Sequence, residues 1–133
     1  MTSVSSGNYS TADPYVGRSA PWSQEAEQAV LGAMLLDQDA ALRAAELVDD
    51  SMFYREPHRR LFRAMLALTE QRTVIDHITL RDELLRRGEL ESAGGLEYVA
   101  ELVDTVPTAA NIEFHAKIVK DKAILRRLIE AST

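Results

Sequence analysis

Along most of the chain, apolar residues recur three and four positions apart, the period of a helix with a buried face. The most apolar stretch, PWSQEAEQAVLGAMLLD from Pro21 to Asp37, predicts the central helix of a bundle. Ala26, Ala29, Val30, Ala33 and Met34 form its stripe, and Leu31, Leu35 and Leu36 widen that stripe beyond one face. Ser23 suits the N-cap, and Glu25 and Glu27 fall in or near the first turn, where the helix dipole favours carboxylates. Gly32 costs about 1 kcal/mol relative to alanine inside a helix. Its presence predicts that another helix crosses closely at Ala29, Gly32 and Ala33, with Val30, Gly32 and Met34 in the core.

Further helices follow from the same spacing. Asp37-Gln38-Asp39 offers a turn and cap for a second helix, about Ala40 to Val48, with Ala41, Leu42, Ala45 and Val48 inward. Met52-Phe53-Tyr54 reads as an apolar plug at the end of the bundle. Pro57 suits the first position of a third helix, whose core stripe is Leu61, Phe62, Met65, Leu66 and Leu68, while Arg59, Arg60, Arg63 and Glu70 mostly face water. Val74, Ile75 and Ile78 have no second strand to pair with and predict a packed loop. Thr79 and Asp82 resemble a capping box for a fourth helix ending near Gly88, with Leu80, Leu84 and Leu85 inward. Gly94-Gly95 opens a fifth helix with Leu96, Val99, Leu102 and Val103 spaced for burial, and Pro107 stops it.

The last helix, capped by Thr108 and running from about Ala109 to the end, carries two apolar stripes. Phe114, Ile118, Leu125, Leu128 and Ile129 make one; Ile112, Ala116, Val119 and Ala123 make the other, well over 90° away at about 100° per residue. One stripe suits the domain body. The stripe through Ile112, Ala116, Val119 and Ala123 is expected to await a partner, so that the chain reads as a fragment on which a further helix packs. The fold class predicted is all-α: a compact bundle of about five helices over 21–107, then the first helix of a C-terminal helical hairpin over 108–133. Residues 1–20, rich in Ser, Thr, Gly and Tyr without apolar period, predict a flexible tail.

Composition supports one globular domain: 133 residues, 46% apolar and 27% charged. There is no cysteine for a disulfide or a thiolate metal site, no signal-peptide pattern and no run of membrane-spanning length, which points to the cytoplasm. Net charge is −6, split unevenly: residues 1–111 hold ten Arg and no Lys against eighteen acids, or −8, and residues 112–133 hold five basic against three acidic, or +2. An acidic body repels phosphate backbones, so little or no direct DNA binding is expected. The five basic residues of the last helix read as a solvated face, a protein interface or phosphate contacts.

Catalytic chemistry finds no support. No glycine is followed by the Lys and hydroxyl residue of a phosphate-cradling loop, which excludes ATP hydrolysis by this chain. His58, His77 and His115 are too far apart in sequence to form a zinc pair, so no metal and no cofactor are expected. His58 reads as a packing or hydrogen-bonding residue, His77 as a loop residue, and His115 as a neighbour of the first apolar stripe. Asp49-Asp50 and the Glu25/Glu27 pair fit helix ends and solvated faces rather than acid–base work. Trp22, the sole tryptophan, reads as a cover for the core or as an interface residue.

Three segments, SQEAEQAVLGAMLLD, FYREPHRRLF and TVPTAANIEFHAKIV, resemble in order and spacing the N-terminal domain of the bacterial replicative DNA helicases of the DnaB family. The resemblance covers about Pro21 to Thr133, with IDHITL and GGLEYVAEL agreeing; His115 departs from it, since the family more often has an aromatic such as tyrosine there. It implies a globular helical domain followed by a helical hairpin, with such domains forming a hexamer collar, a trimer of dimers paired through the hairpins. It also implies recruitment of primase and, in some bacteria, contact with a helicase loader, with ATP and magnesium chemistry confined to a separate C-terminal domain. The interface residues so implied are Ile112, Phe114, His115, Ala116, Ile118, Val119, Ala123, Leu125, Leu128 and Ile129. Two alternatives are the helicase-binding domain at the C-terminal end of a bacterial primase and a small DNA-binding helical domain.

Overall fold

The computed structural model describes residues 20–106 and 108–132; the expected tail, but for Ala20, and the expected helix stop at Pro107 lie outside them. Six helices run in the order α1 (Gln24–Leu36), α2 (Gln38–Leu47), α3 (Glu56–Glu70), α4 (His77–Arg86), α5 (Gly95–Thr105) and α6 (Ile112–Ser132), with one 3-10 turn at Asp50–Met52. There is no strand among the described residues.

α1 is the hub: α2, α3, α5 and α6 all pack on it. Its Ser23 cap is as read, the hydroxyl accepting from the Ala26 N–H at 3.1 Å. Val30, Leu31, Ala33 and Met34 are buried, as are Leu61, Phe62 and Met65 of α3. A Cβ added at Gly32 would stand 2.5 Å from Val106 Cγ2 and 2.6 Å from the Leu102 carbonyl oxygen. The close crossing predicted from that glycine is therefore with the end of α5. Phe53 is fully buried and packs at a tilt against Phe62, with ring centroids 5.1 Å apart, so the plug after α2 does seal the bundle.

Several expectations are corrected by how the helices meet. In α2 the inward face is Ala40, Ala41 and Ala44, followed by Val48 at the cap, and Leu42 is 47% exposed. The short alanine side chains let α2 lie close against α1, and the longer leucine is left outside. The capping box of α4 is one turn earlier than Thr79/Asp82. Asp76 accepts from the Ile78 and Thr79 N–H groups at 2.9 and 2.8 Å, and its own N–H donates to Thr79 Oγ1 at 2.9 Å. His77 is thus the first residue of α4, not a loop residue. Leu85 and Leu96 face solvent, and of Val74, Ile75 and Ile78 only Ile75 is buried. Thr108 Oγ1 caps a turn through the Ala110 N–H, and α6 itself begins at Ile112. Arg59, Arg60 and Arg63 are only partly in water: Arg59 donates to the Phe53 and Tyr54 carbonyls, Arg60 reaches Glu89 and Arg63 pairs with Asp50 at 2.7 Å.

α4 ends with Gly88 at φ 69°, while the Glu89 N–H returns to the Leu84 carbonyl and the Gly88 N–H to that of Leu85. α3 ends with the same pattern of bonds, from Thr73 to Leu68 and from Arg72 to Thr69, but with Arg72 in the left-handed position at φ 60°.

Asp76 and Glu83 tie stability to acid pH. Hydrogen bonds from the Thr79 and Ile78 N–H groups hold the Asp76 carboxyl below its ordinary value. Burial pushes the Glu83 carboxyl up, but Arg87 and Arg86 outweigh it and leave the net shift downward. Both groups titrate lower folded than unfolded, so their stabilisation is complete above their ordinary values near 3.8 and 4.5 and is lost as pH falls through the depressed folded values. The melting temperature is expected to fall steadily below about pH 4. Asp76→Asn, which keeps the cap but cannot ionise, should flatten that acid limb; an unchanged slope would remove Asp76 from the account.

Candidate partner interface

α6 has two faces with opposite fates. Ile112, Ala116, Val119 and Ala123 are buried, Ala116 completely, where the helix lies across α1 and α2. This overturns the expectation that these four residues await a partner: they dock α6 on its own domain. The physical reason is their size. Ala116 and Ala123 let two helices approach closely, whereas the bulky stripe would hold them apart. Phe114 is 64% exposed, Leu128 60%, Leu125 44% and Ile124 42%. These residues lie roughly opposite the buried set at about 100° per residue. Ile118, Ile129 and His115 sit at intermediate depth, His115 edge-on to Phe114 at 5.5 Å.

Beyond Ala123 no residue of α6 is buried, and a cation holds the helix down. Arg126 donates to the Pro21 carbonyl at 2.9 Å and to the Met52 carbonyl at 2.8 Å, with its guanidinium 5.3 Å from the centre of the Tyr54 ring. Trp22 packs at a tilt against the same Tyr54 ring, with centroids 5.1 Å apart, so it covers this end of the bundle while remaining half-buried. Burial draws the Arg126 pKa below the ordinary arginine value, and the Glu27 carboxylate opposes that shift. An open cleft of about 580 Å³ runs along the edge between α2 and α6, lined by Leu47, Phe114 and Ala116 with Glu46, Lys117 and Asp121 among the charges. Lys117 and Asp121 pair at 2.8 Å on the exposed side.

Beneath this surface lies a polar chain that sequence spacing did not reveal. Glu27, expected on a solvated first turn, is 1% exposed, and His58 is fully buried. Glu27 Oε1 lies 2.6 Å from His58 Nδ1, and Glu27 Oε2 accepts from the Tyr54 N–H at 2.7 Å. His58 Nε2 lies 2.6 Å from the Tyr98 hydroxyl, which also accepts from Gln28 Nε2 at 3.1 Å. With the proton on Nδ1, every group has a partner of the right kind: Gln28 donates to Tyr98, Tyr98 to His58 and His58 to Glu27. The set joins α1, α3 and α5. It offers no catalytic opening, since the histidine and carboxylate are sealed from solvent. Among the described residues, no group of three or more His, Asp or Glu is placed to hold a metal ion. No described helix is long and apolar enough to cross a membrane.

Residues 19–121 match the family described as the DnaB-like helicase N terminal domain. The chain belongs to that family. The replicative DNA helicase DnaB of Geobacillus stearothermophilus is 47% identical over 116 residues, 87% of this chain and 26% of that protein. The crystal structure of the N-terminal domain of DnaB helicase from Mycobacterium tuberculosis superposes with a TM-score of 0.83 at 44% identity, covering 86% of this chain and 83% of that one. The N-terminal domain of DnaB helicase from Helicobacter pylori, studied with its interactions with primase, has the same fold: TM-score 0.68, 22% identity, 82% of this chain and 85% of that one. The chain spans about a quarter of the length of its Geobacillus relative. The all-helical DnaB-type fold and the family read from the three segments are both as expected, and the match is to the helicase rather than to the primase alternative.

Proposed function

We propose that this chain is the assembly and partner-docking domain of a bacterial replicative DNA helicase, acting in the collar of a hexamer and in recruitment of primase. The observation that carries the reading is the exposed stripe of Phe114, Leu125 and Leu128 on a helix whose opposite face and C-terminal half are already fixed to the body. A helix so held presents its apolar residues in a defined direction, as an assembly contact requires. The natural occupant is the second helix of a hairpin, in the same subunit or a neighbouring one. Family membership supports the setting, and the primase interactions studied for the Helicobacter pylori domain support that partner. A helicase loader is a further candidate at the same collar. ATP and magnesium would belong to another part of the parent protein, because this chain has no phosphate-cradling loop. DNA contact by this domain is disfavoured by its −8 body.

The test uses the chain extended by its natural downstream residues through the second hairpin helix. Light scattering should show a dimer or higher assembly, and Leu128→Asp should shift it to monomer with little change in melting temperature. Titration of the C-terminal region of the cognate primase should give binding at tens of micromolar or below. Assembly indifferent to Leu128→Asp would move the interface elsewhere, and absence of primase binding would remove that partner.

A further inference from the structure

We propose that the outer face of α5, with the start of α4, is a second docking surface, shaped for a short basic amphipathic helix of a partner protein. α5 carries two parallel rows on its solvent side. Leu96, Ala100 and Val103 form one, at positions i, i+4 and i+7, with Leu96 and Ala100 exposed and Val103 half-buried. Glu97, Glu101 and Asp104 form the other, one residue further on and therefore rotated by about 100°. All three acids are exposed. His77, Leu96, Ala100, Val103 and Asp104 line an open groove of about 410 Å³. The side of α5 that the core needs is the other one, where Val99 and Leu102 are 1% and 0% exposed.

Charge decides what fits the groove. On α4, which packs against α5, exposed Asp82 is held by Arg81, and on other helices Glu46 is held by Arg43, Glu56 by Arg59 and Arg60, and Asp121 by Lys117. Glu97, Glu101 and Asp104 have no such partner among the described residues, and α5 contains no basic residue at all. An apolar row bordered by a row of uncompensated carboxylates is the complement of a helix with Leu-like anchors at i, i+3 or i+4 and i+7 and lysine or arginine along one flank. The same carboxylates repel nucleic acid and anionic membrane surfaces. This surface is distinct from the Phe114–Leu128 stripe of α6 and does not depend on the helicase reading.

The experiment uses the whole chain, isotopically labelled, and a synthetic Leu/Lys peptide of about 15 residues, the length at which isolated helices begin to hold. Comparison peptides carry the same residues in scrambled order, or Glu in place of Lys. The Leu/Lys helix should bind at least tenfold more tightly than either, weaken with added salt, and shift amide signals of residues 96–104 and His77. Ala100→Arg and Glu101→Lys, both at exposed positions, should each reduce binding at least tenfold while leaving the melting temperature unchanged. Equal binding of the scrambled peptide, amide shifts confined to α6, or affinity indifferent to Glu101→Lys would each overturn the proposal. So would self-association of the chain that Ala100→Arg abolishes, which would make a second copy the occupant.

Discussion

Gly32→Leu is expected to destabilise the domain by about 3 kcal/mol or more, the upper end of the overpacking range. For a domain of this size the melting temperature would drop by on the order of 10–20 °C. Even the first atom of the new side chain has no room: it would lie 2.6 Å from the Leu102 carbonyl oxygen, which is backbone and cannot rotate away. Gly32→Ala separates two opposing effects. Alanine gains about 1 kcal/mol over glycine in a helix interior. Here the clash with α5 should reverse that gain and give net destabilisation, since α5 must move bodily to make space. Circular dichroism melts of the two variants decide the matter. A stable Gly32→Ala chain would mean that α5 does not cross α1 at this point.

Glu27→Leu is expected to cost about 3–5 kcal/mol, the range for breaking a buried, partnered charged group. The substitution strands two donors at once, the Tyr54 N–H and His58 Nδ1, the second on a fully buried ring. Tyr98→Phe removes one hydroxyl and leaves His58 Nε2 and Gln28 to adjust, so a smaller loss of about 1–3 kcal/mol is expected. The informative variant is Glu27→Leu combined with His58→Leu. If the two residues act as one unit, the double change should cost clearly less than the sum of the single ones, because an apolar pair no longer leaves a lone polar group buried. Strict additivity in denaturant melts would show that the chain of hydrogen bonds contributes no coupling.

The contrast between Gly32 and Glu27 shows what sequence can report. Gly32 is legible because a glycine inside a strongly apolar helix breaks a local rule, and broken local rules point to a tertiary cause. Glu27 breaks no rule: a carboxylate in the first turn of a helix is favourable where it stands, and nothing nearby marks it as buried. Its partner His58 is 31 residues away, and Tyr98 lies 40 beyond that. Only the folding together of α1, α3 and α5 makes them neighbours.

The two stripes of α6 illustrate a different failure. Both were visible at helical spacing, but which one faces the body depends on how near two helix axes can come. Alanines at 116 and 123 decide this through their smallness, although by hydrophobicity alone Phe114, Leu125 and Leu128 would be placed inside. The capping box was displaced for a simpler reason. Both Asp76 and Thr79 are good caps, and the pair satisfies each other's backbone at three residues' separation, which leaves Thr79 unavailable to begin a helix of its own.

The guanidinium of Arg126, with Arg127 reaching Ser51 Oγ beside it, ties the C-terminal half of α6 to the body, and this makes the helix a cantilever. Its root is set by the small residues from Ile112 to Ala123, and its pointing angle by two carbonyl oxygens near the N-terminal end of the fold, those of Pro21 and Met52. At about 1.5 Å per residue, any helical extension past Ser132 would carry the angle outward as a lever, so that a few degrees at the root become several ångströms at the tip. The segment ahead of α1 and the turn after α2, though remote in sequence from anything α6 would touch, thereby steer where that tip goes.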